Sequence, residues 1–66
     1  MLAYQIDLLK ADGSRDCLLA ISCARDLAAI VLAKSIFRFN RSRAARILVW
    51  RDDKLIFADS RLRALN

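Results

Sequence analysis

The sequence contains no histidine, no glutamate and no proline, and its single glycine is Gly13. Each absence removes a class of chemistry. Histidine is the commonest general acid or base, with glutamate, aspartate and lysine behind it. Here every acid is an aspartate: Asp7, Asp12, Asp16, Asp26, Asp52, Asp53 and Asp59. Most of these fall where turns or helix caps use aspartate in any case. No hydroxyl nucleophile has a histidine to activate it. A phosphate-cradling loop needs several glycines, and Gly13 stands alone. The inventory predicts a protein that is not an enzyme, with no catalytic residue and no cofactor.

Cysteine is scarce too, with only Cys17 and Cys23. If both lie on one extended strand, six residues put them about 20 Å apart. A disulfide needs Cα atoms within about 7 Å, so they cannot bridge each other within one chain. Two cysteines without histidine cannot complete a four-ligand zinc site in a monomer, so no metal is expected. The plain expectation is two apolar thiols in a reducing cytoplasm. The sharper one is a thiol that links chains or holds metal across a dimer.

What is present is apolar and basic. Hydrophobic residues make up 58% of the 66, which argues against a disordered tail. The length allows one domain, residues 1–66. The longest apolar stretch, residues 27–37, is broken by Lys34 and falls short of the ~20 residues that span a bilayer. The N-terminus shows no basic region leading into an apolar core and a cleavage site, so nothing suggests export.

The periodicities predict strand, strand, helix, strand, strand. Residues 2–9 alternate, with Leu2, Tyr4, Ile6 and Leu8 on one side and Ala3, Gln5 and Asp7 on the other. Asp12-Gly13 then signals a two-residue hairpin turn into a strand over residues 16–23. That turn pairs Leu8 with Cys17, Ile6 with Leu19 and Tyr4 with Ile21, all on one face. A helix is expected from residues 22–24 to about Asn40. Ser22 serves as its N-cap, Asp26 lies in its first turns, and Asn40 ends it in a left-handed conformation. Ala24, Ala28, Val31, Leu32, Ser35 and Phe39 form an arc of about 100°, the width of a core-facing stripe. Ile30 and Phe37 then project to one side, as apolar surface beyond what that stripe needs.

A second hairpin, residues 46–51 and 54–58, turns at Asp52-Asp53 and is apolar on both faces. Ile47, Val49 and Ile56 are assigned to the core because β-branched residues suit a sheet under a helix. Trp50 then pairs with Leu55, and Leu48 with Phe57, as an outer patch. The reverse assignment stays open. Residues 59–66 are expected to form a frayed tail or a short helical turn, with Leu62 and Leu65 lightly docked.

Domains of about 60 residues are marginal alone and often add a disulfide, a metal or an oligomer interface. With the first two excluded, the apolar excess predicts a homodimer or another protein partner. The interface is assigned to Leu48, Trp50, Leu55, Phe57, Ile30 and Phe37. Charge offers the alternative. The net charge is +5, and no acid lies between Asp26 and Asp52. Arg38, Arg41, Arg43, Arg46 and Arg51 are the candidate nucleic-acid or phosphate contacts, with Phe37, Phe39 and Trp50 nearby for stacking. A small enzyme assembled across a dimer from Asp and Cys side chains ranks third.

Tyr4-Gln5-Ile6-Asp7-Leu8-Leu9, Ala11-Asp12-Gly13, the helix around Leu27-Ala28-Ala29, and Ile47-Leu48-Val49-Trp50 with Leu55-Ile56 carry a resemblance. Together they are similar to small uncharacterised ββαββ proteins of proteobacteria. Those chains share a tyrosine-led strand, a DG turn, an alanine-spaced helix and a tryptophan-ended strand. The present helix is more apolar, and Asp52-Asp53 stands where a glycine is common. The resemblance implies a topology and no activity. The fold expected is therefore α+β: two antiparallel hairpins in one four-stranded sheet with a helix on one face. The expected role is a non-enzymatic, cytoplasmic, self-associating interaction module. The runner-up is a small basic nucleic-acid-binding protein.

Overall fold

The computed structural model describes residues 1–40 and 43–60. Strand β1 (Leu2–Leu9) and strand β2 (Arg15–Cys23) form the first hairpin, and helix α1 (Asp26–Phe39) follows. Strands β3 (Arg46–Arg51) and β4 (Lys54–Ser60) form the second hairpin. The hairpins join through an antiparallel β1–β3 pair, giving one sheet in the order β2-β1-β3-β4. The expected ββαββ architecture is present. Asp59 and Ser60, expected in a tail, belong to β4, and residues 61–66, Leu62 and Leu65 among them, lie outside the described residues.

The first hairpin has the expected register: Tyr4↔Ile21, Ile6↔Leu19 and Leu8↔Cys17. Its turn is different. Gly13 N–H donates to the Lys10 carbonyl at 2.9 Å, and Lys10 N–H to the Ser14 carbonyl at 2.8 Å. Only Gly13, at φ +90, enters the left-handed region, and Asp12 instead accepts from the Ser14 N–H and hydroxyl. The loop is thus one residue longer than expected. A register shift between Leu8 and Leu9, with Asp16 as the extra residue of β2, restores the pairing further along. At the second turn Asp52 itself takes φ 56, a conformation that aspartate tolerates better than most residues.

Tyr4, Ile6 and Leu8 point under the helix, flanked by Ile47 and Val49 of β3, and all are buried. The helix meets them with Ala29, Ala33 and Phe37, at i, i+4 and i+8. The expected core stripe is therefore on the wrong side. Ala24, Ala28, Val31, Leu32, Ser35 and Phe39 are exposed, and Phe37, assigned to an outer surface, is buried. The cause is steric. Ala29 and Ala33 are small enough to let a helix backbone lie close to the bulky Ile6, Ile47 and Val49, and Phe37 joins the same buried cluster one turn further on.

The helix ends also differ from expectation. Ser22 lies in β2; Arg25 is the N-cap and makes no side-chain capping bond. Asn40 stops the helix at φ −108 rather than in a left-handed conformation. Its side-chain amide donates to the Ile36 carbonyl at 2.7 Å, and its backbone N–H reaches the Ile36 and Phe37 carbonyls.

The second hairpin pairs Trp50 with Leu55 as expected. A bulge between Val49 and Trp50 then shifts the register, so that Leu48 meets Ala58 and Val49 meets Phe57. One extra residue turns every later side chain to the other face. Phe57 consequently packs against the core beneath the helix instead of joining the outer patch. Ile47, Val49 and Ile56 are core or core-packed, as assigned.

Candidate interaction surface

Three surfaces remain once the core is filled. The first is the outer face of α1. Leu27 is 63% exposed, Val31 56%, Leu32 41% and Phe39 87%. Ala28 and Ser35 lie among them, and Arg25, Leu27, Ala28, Val31, Leu32 and Ser35 line a shallow depression. At about 100° per residue these side chains form a second apolar stripe, roughly opposite the buried one. Arg38 falls between Leu27 and Val31 on this face and Arg25 borders it near Leu32, while Lys34 lies to one flank. Lys34 leans toward β4, with its Nζ 5.5 Å from the Phe57 ring centroid.

The second surface is the sheet face turned away from the helix. It carries the rest of the expected patch: Leu48 and Trp50 are half-buried, and Leu55 is exposed. Ile30, half-buried on the helix, lies elsewhere. Trp50 is held inside its own chain, because its indole N–H donates to Asp7 Oδ2 at 3.2 Å. The Asp7 Oδ1 accepts from Gln5 Nε2 at 3.4 Å, and Arg15 Nε stands 3.8 Å away. Asp7 is thus buried on an otherwise open face, on an inner strand and flanked in register by Leu18 and Leu48. The expected patch does not form one surface: Phe37 and Phe57 belong to the helix side, and Trp50 caps a carboxylate.

The third surface is the end of the fold where α1 begins. Tyr4 Oη donates to Asp26 Oδ1 at 2.7 Å, and Arg51 Nη1 donates to the same oxygen at 2.7 Å. This network ties β1, α1 and β3 together. Burial raises the Tyr4 phenol above its usual value, and the Asp26 hydrogen bond and charge add to this; Arg51 opposes it more weakly. In the unfolded chain the phenol ionises first, near its ordinary 10.0. Above that pH the unfolded state holds fewer protons than the folded one, so stability falls as pH rises. Urea melts at rising alkaline pH are expected to show that decline, and Tyr4→Phe to flatten it.

Among the described residues, two of the candidate arginines are tied to aspartates and two lie at opposite ends of one strand. Arg43 bridges Asp16 at 3.3 Å, and Arg51 is tied to Asp26. Arg51 and Arg46 occupy opposite ends of β3, about 17 Å apart at the rise of a strand. Arg38 and Arg46 are exposed, and Arg41 lies outside the described residues. Phe39 is open for stacking, but Phe37 is buried and Trp50 is engaged with Asp7.

Cys17 and Cys23 are free thiols, half-buried on the helix side of β2. Among the described residues no cluster of three or more Cys, Asp, Glu or His is placed to hold a metal ion. Likewise, no described helix is long and apolar enough to cross a membrane. No protein family, curated protein or solved structure matches the chain.

Proposed function

We propose that this protein is a non-enzymatic module that self-associates through the outer face of α1. One observation carries the reading: Leu27, Val31, Leu32 and Phe39 stand 41–87% exposed on a single, mostly apolar helix face. Scattered exposed apolar side chains need no explanation, but a contiguous stripe marks a surface that another molecule covers. The reading places the chain in the reducing cytoplasm, where Cys17 and Cys23 stay as thiols.

Sedimentation at micromolar concentration tests it. The wild type is expected to run at twice its 7.5 kDa mass, and Leu32→Asp as a monomer with the same circular dichroism. Added salt is expected to strengthen the association, because two chains of charge +5 repel each other less when screened. Oligonucleotide binding through arginines has the opposite salt dependence. A single 7.5 kDa species at every concentration overturns the proposal.

A further inference from the structure

The two edges of the sheet are built differently. Edge strands expose unpaired backbone groups, and natural sheets protect them with charge, bulges or short strands. The β4 edge has such protection: Lys54 and Asp59 lie along it, and the bulge interrupts its pairing with β3. The β2 edge has an irregularity only at its start, near Asp16. Residues 17–24, Cys-Leu-Leu-Ala-Ile-Ser-Cys-Ala, then run without a charge, a proline or a glycine. On the helix side of this strand, Cys17, Leu19, Ile21 and Cys23 form a row that the helix covers only partly.

We infer that β2 pairs antiparallel with β2 of a second copy, about a two-fold axis at Ala20. This rests on the self-association reading and specifies its geometry. With Ala20 opposite Ala20 of the partner, Leu19 faces Ile21, Leu18 faces Ser22 and Cys17 faces Cys23. Apolar residues then meet across the whole helix-side row, and no charged pair falls between the two cysteine positions. The two sheets become one sheet of twice the width.

The same axis brings the helices together. Lys34 reaches toward Phe57 of β4, so the opposite flank of α1, with Ala28, Leu32 and Phe39, leans toward the β2 edge. A two-fold axis normal to the sheet sets two such flanks side by side and antiparallel. Small Ala28 and Ser35 leave room for close approach, and Leu32 and Phe39 supply the apolar bulk. A stable dimer hides about 800 Å² per partner, roughly a sixth of the 4810 Å² this chain exposes. Strand pairing alone is too narrow for that, and the helix flank supplies the rest.

Ala20 is exposed in the single chain, so substitutions there test the pairing without entering the core. Ala20→Lys and Ala20→Asp each place like charges opposite each other, about 5 Å apart in an antiparallel pair. Each variant alone is expected to associate about ten-fold or more weakly, and an equimolar mixture to recover the dimer. The cysteines give an independent readout on an unaltered backbone. Opposed Cα atoms at about 4.5–5.5 Å lie within disulfide range. With oxidised glutathione as the oxidant, two thiols yield one interchain disulfide and two molecules of reduced glutathione. Cys17→Ser alone and Cys23→Ser alone are expected not to cross-link, whereas their mixture cross-links as a heterodimer. A wild-type monomer overturns the self-association reading itself. A dimer that tolerates both Ala20 variants, with no cross-link in the mixed serine variants, overturns the β2 pairing alone.

Discussion

Phe37→Ala is expected to leave most of the chain unfolded at room temperature, while Phe39→Ala leaves it folded. The two phenylalanines are two residues apart on one helix, yet Phe37 is 7% exposed and Phe39 is 87% exposed. Truncating a buried phenylalanine costs about 3–5 kcal/mol, part from lost burial and part from the cavity left behind. At about 0.05–0.15 kcal/mol per residue a domain of this length has about 3–10 kcal/mol in total, and a single core in so short a chain rarely supplies more than about 3–5 kcal/mol. One substitution therefore removes most of the available stability. Phe39 has almost no burial to lose within its own chain, so its truncation is expected to stay within about 0.5 kcal/mol. Urea unfolding followed by circular dichroism, at concentrations low enough to keep the chain monomeric, separates the two. Equal losses, or a larger loss at Phe39, would show that the helix rests on its other face.

That contrast also marks where the sequence stops being informative. Alternation in β1 is clear from Leu2 to Leu8, and a one-residue slip would turn Gln5 and Asp7 under the helix with the core set; with the Asp12-Gly13 turn signal, the register of the first hairpin could be read directly. The helix offered no such constraint. It is apolar nearly all round, and two stripes of comparable width compete, one with Val31, Leu32 and Phe39 and the other with Ala29, Ala33 and Phe37. Counting hydrophobic side chains favours the bulkier stripe. The sheet takes the slimmer one: Ile6, Ile47 and Val49 supply the bulk of the layer, and Ala29 and Ala33 pack with them. Ranking by bulk therefore inverted the core and the surface of α1.

The second hairpin failed differently. Its turn and its Trp50↔Leu55 pair were legible, because Asp52-Asp53 separates two apolar runs. The bulge beyond that pair left no mark in composition, since Leu55, Ile56 and Phe57 are all apolar and any of them could be the extra residue. Phe57 moved under the helix as a result. Two members of the arginine cluster, Arg43 and Arg51, are engaged by aspartates. Spacing along the chain could not show that Asp16 and Asp26, distant in sequence, each reach one of its members.

Trp50 carries the second large expectation. Trp50→Ala is expected to lower stability by about 3–5 kcal/mol without breaking the self-association of the molecules that remain folded. The indole is half-buried, so its truncation loses less than the full ~3–5 kcal/mol of a core tryptophan. To that is added the hydrogen bond to Asp7, of the kind worth about 1.5–3 kcal/mol when one partner is charged. Trp50→Phe separates the two contributions, since it keeps most of the ring and removes only the N–H. Asp7 is 5% exposed, and its other partners substitute poorly: Gln5 is at 3.4 Å, and Arg15 at 3.8 Å has a side chain 55% exposed. Trp50→Phe is therefore expected to cost about 1–2 kcal/mol in the wild-type background and much less once Asp7→Asn has removed the charge. That coupling distinguishes a tryptophan held by a carboxylate within its own chain from one reserved for a partner. In the second case the cycle shows no coupling, and Trp50→Phe shifts the dimer dissociation constant instead.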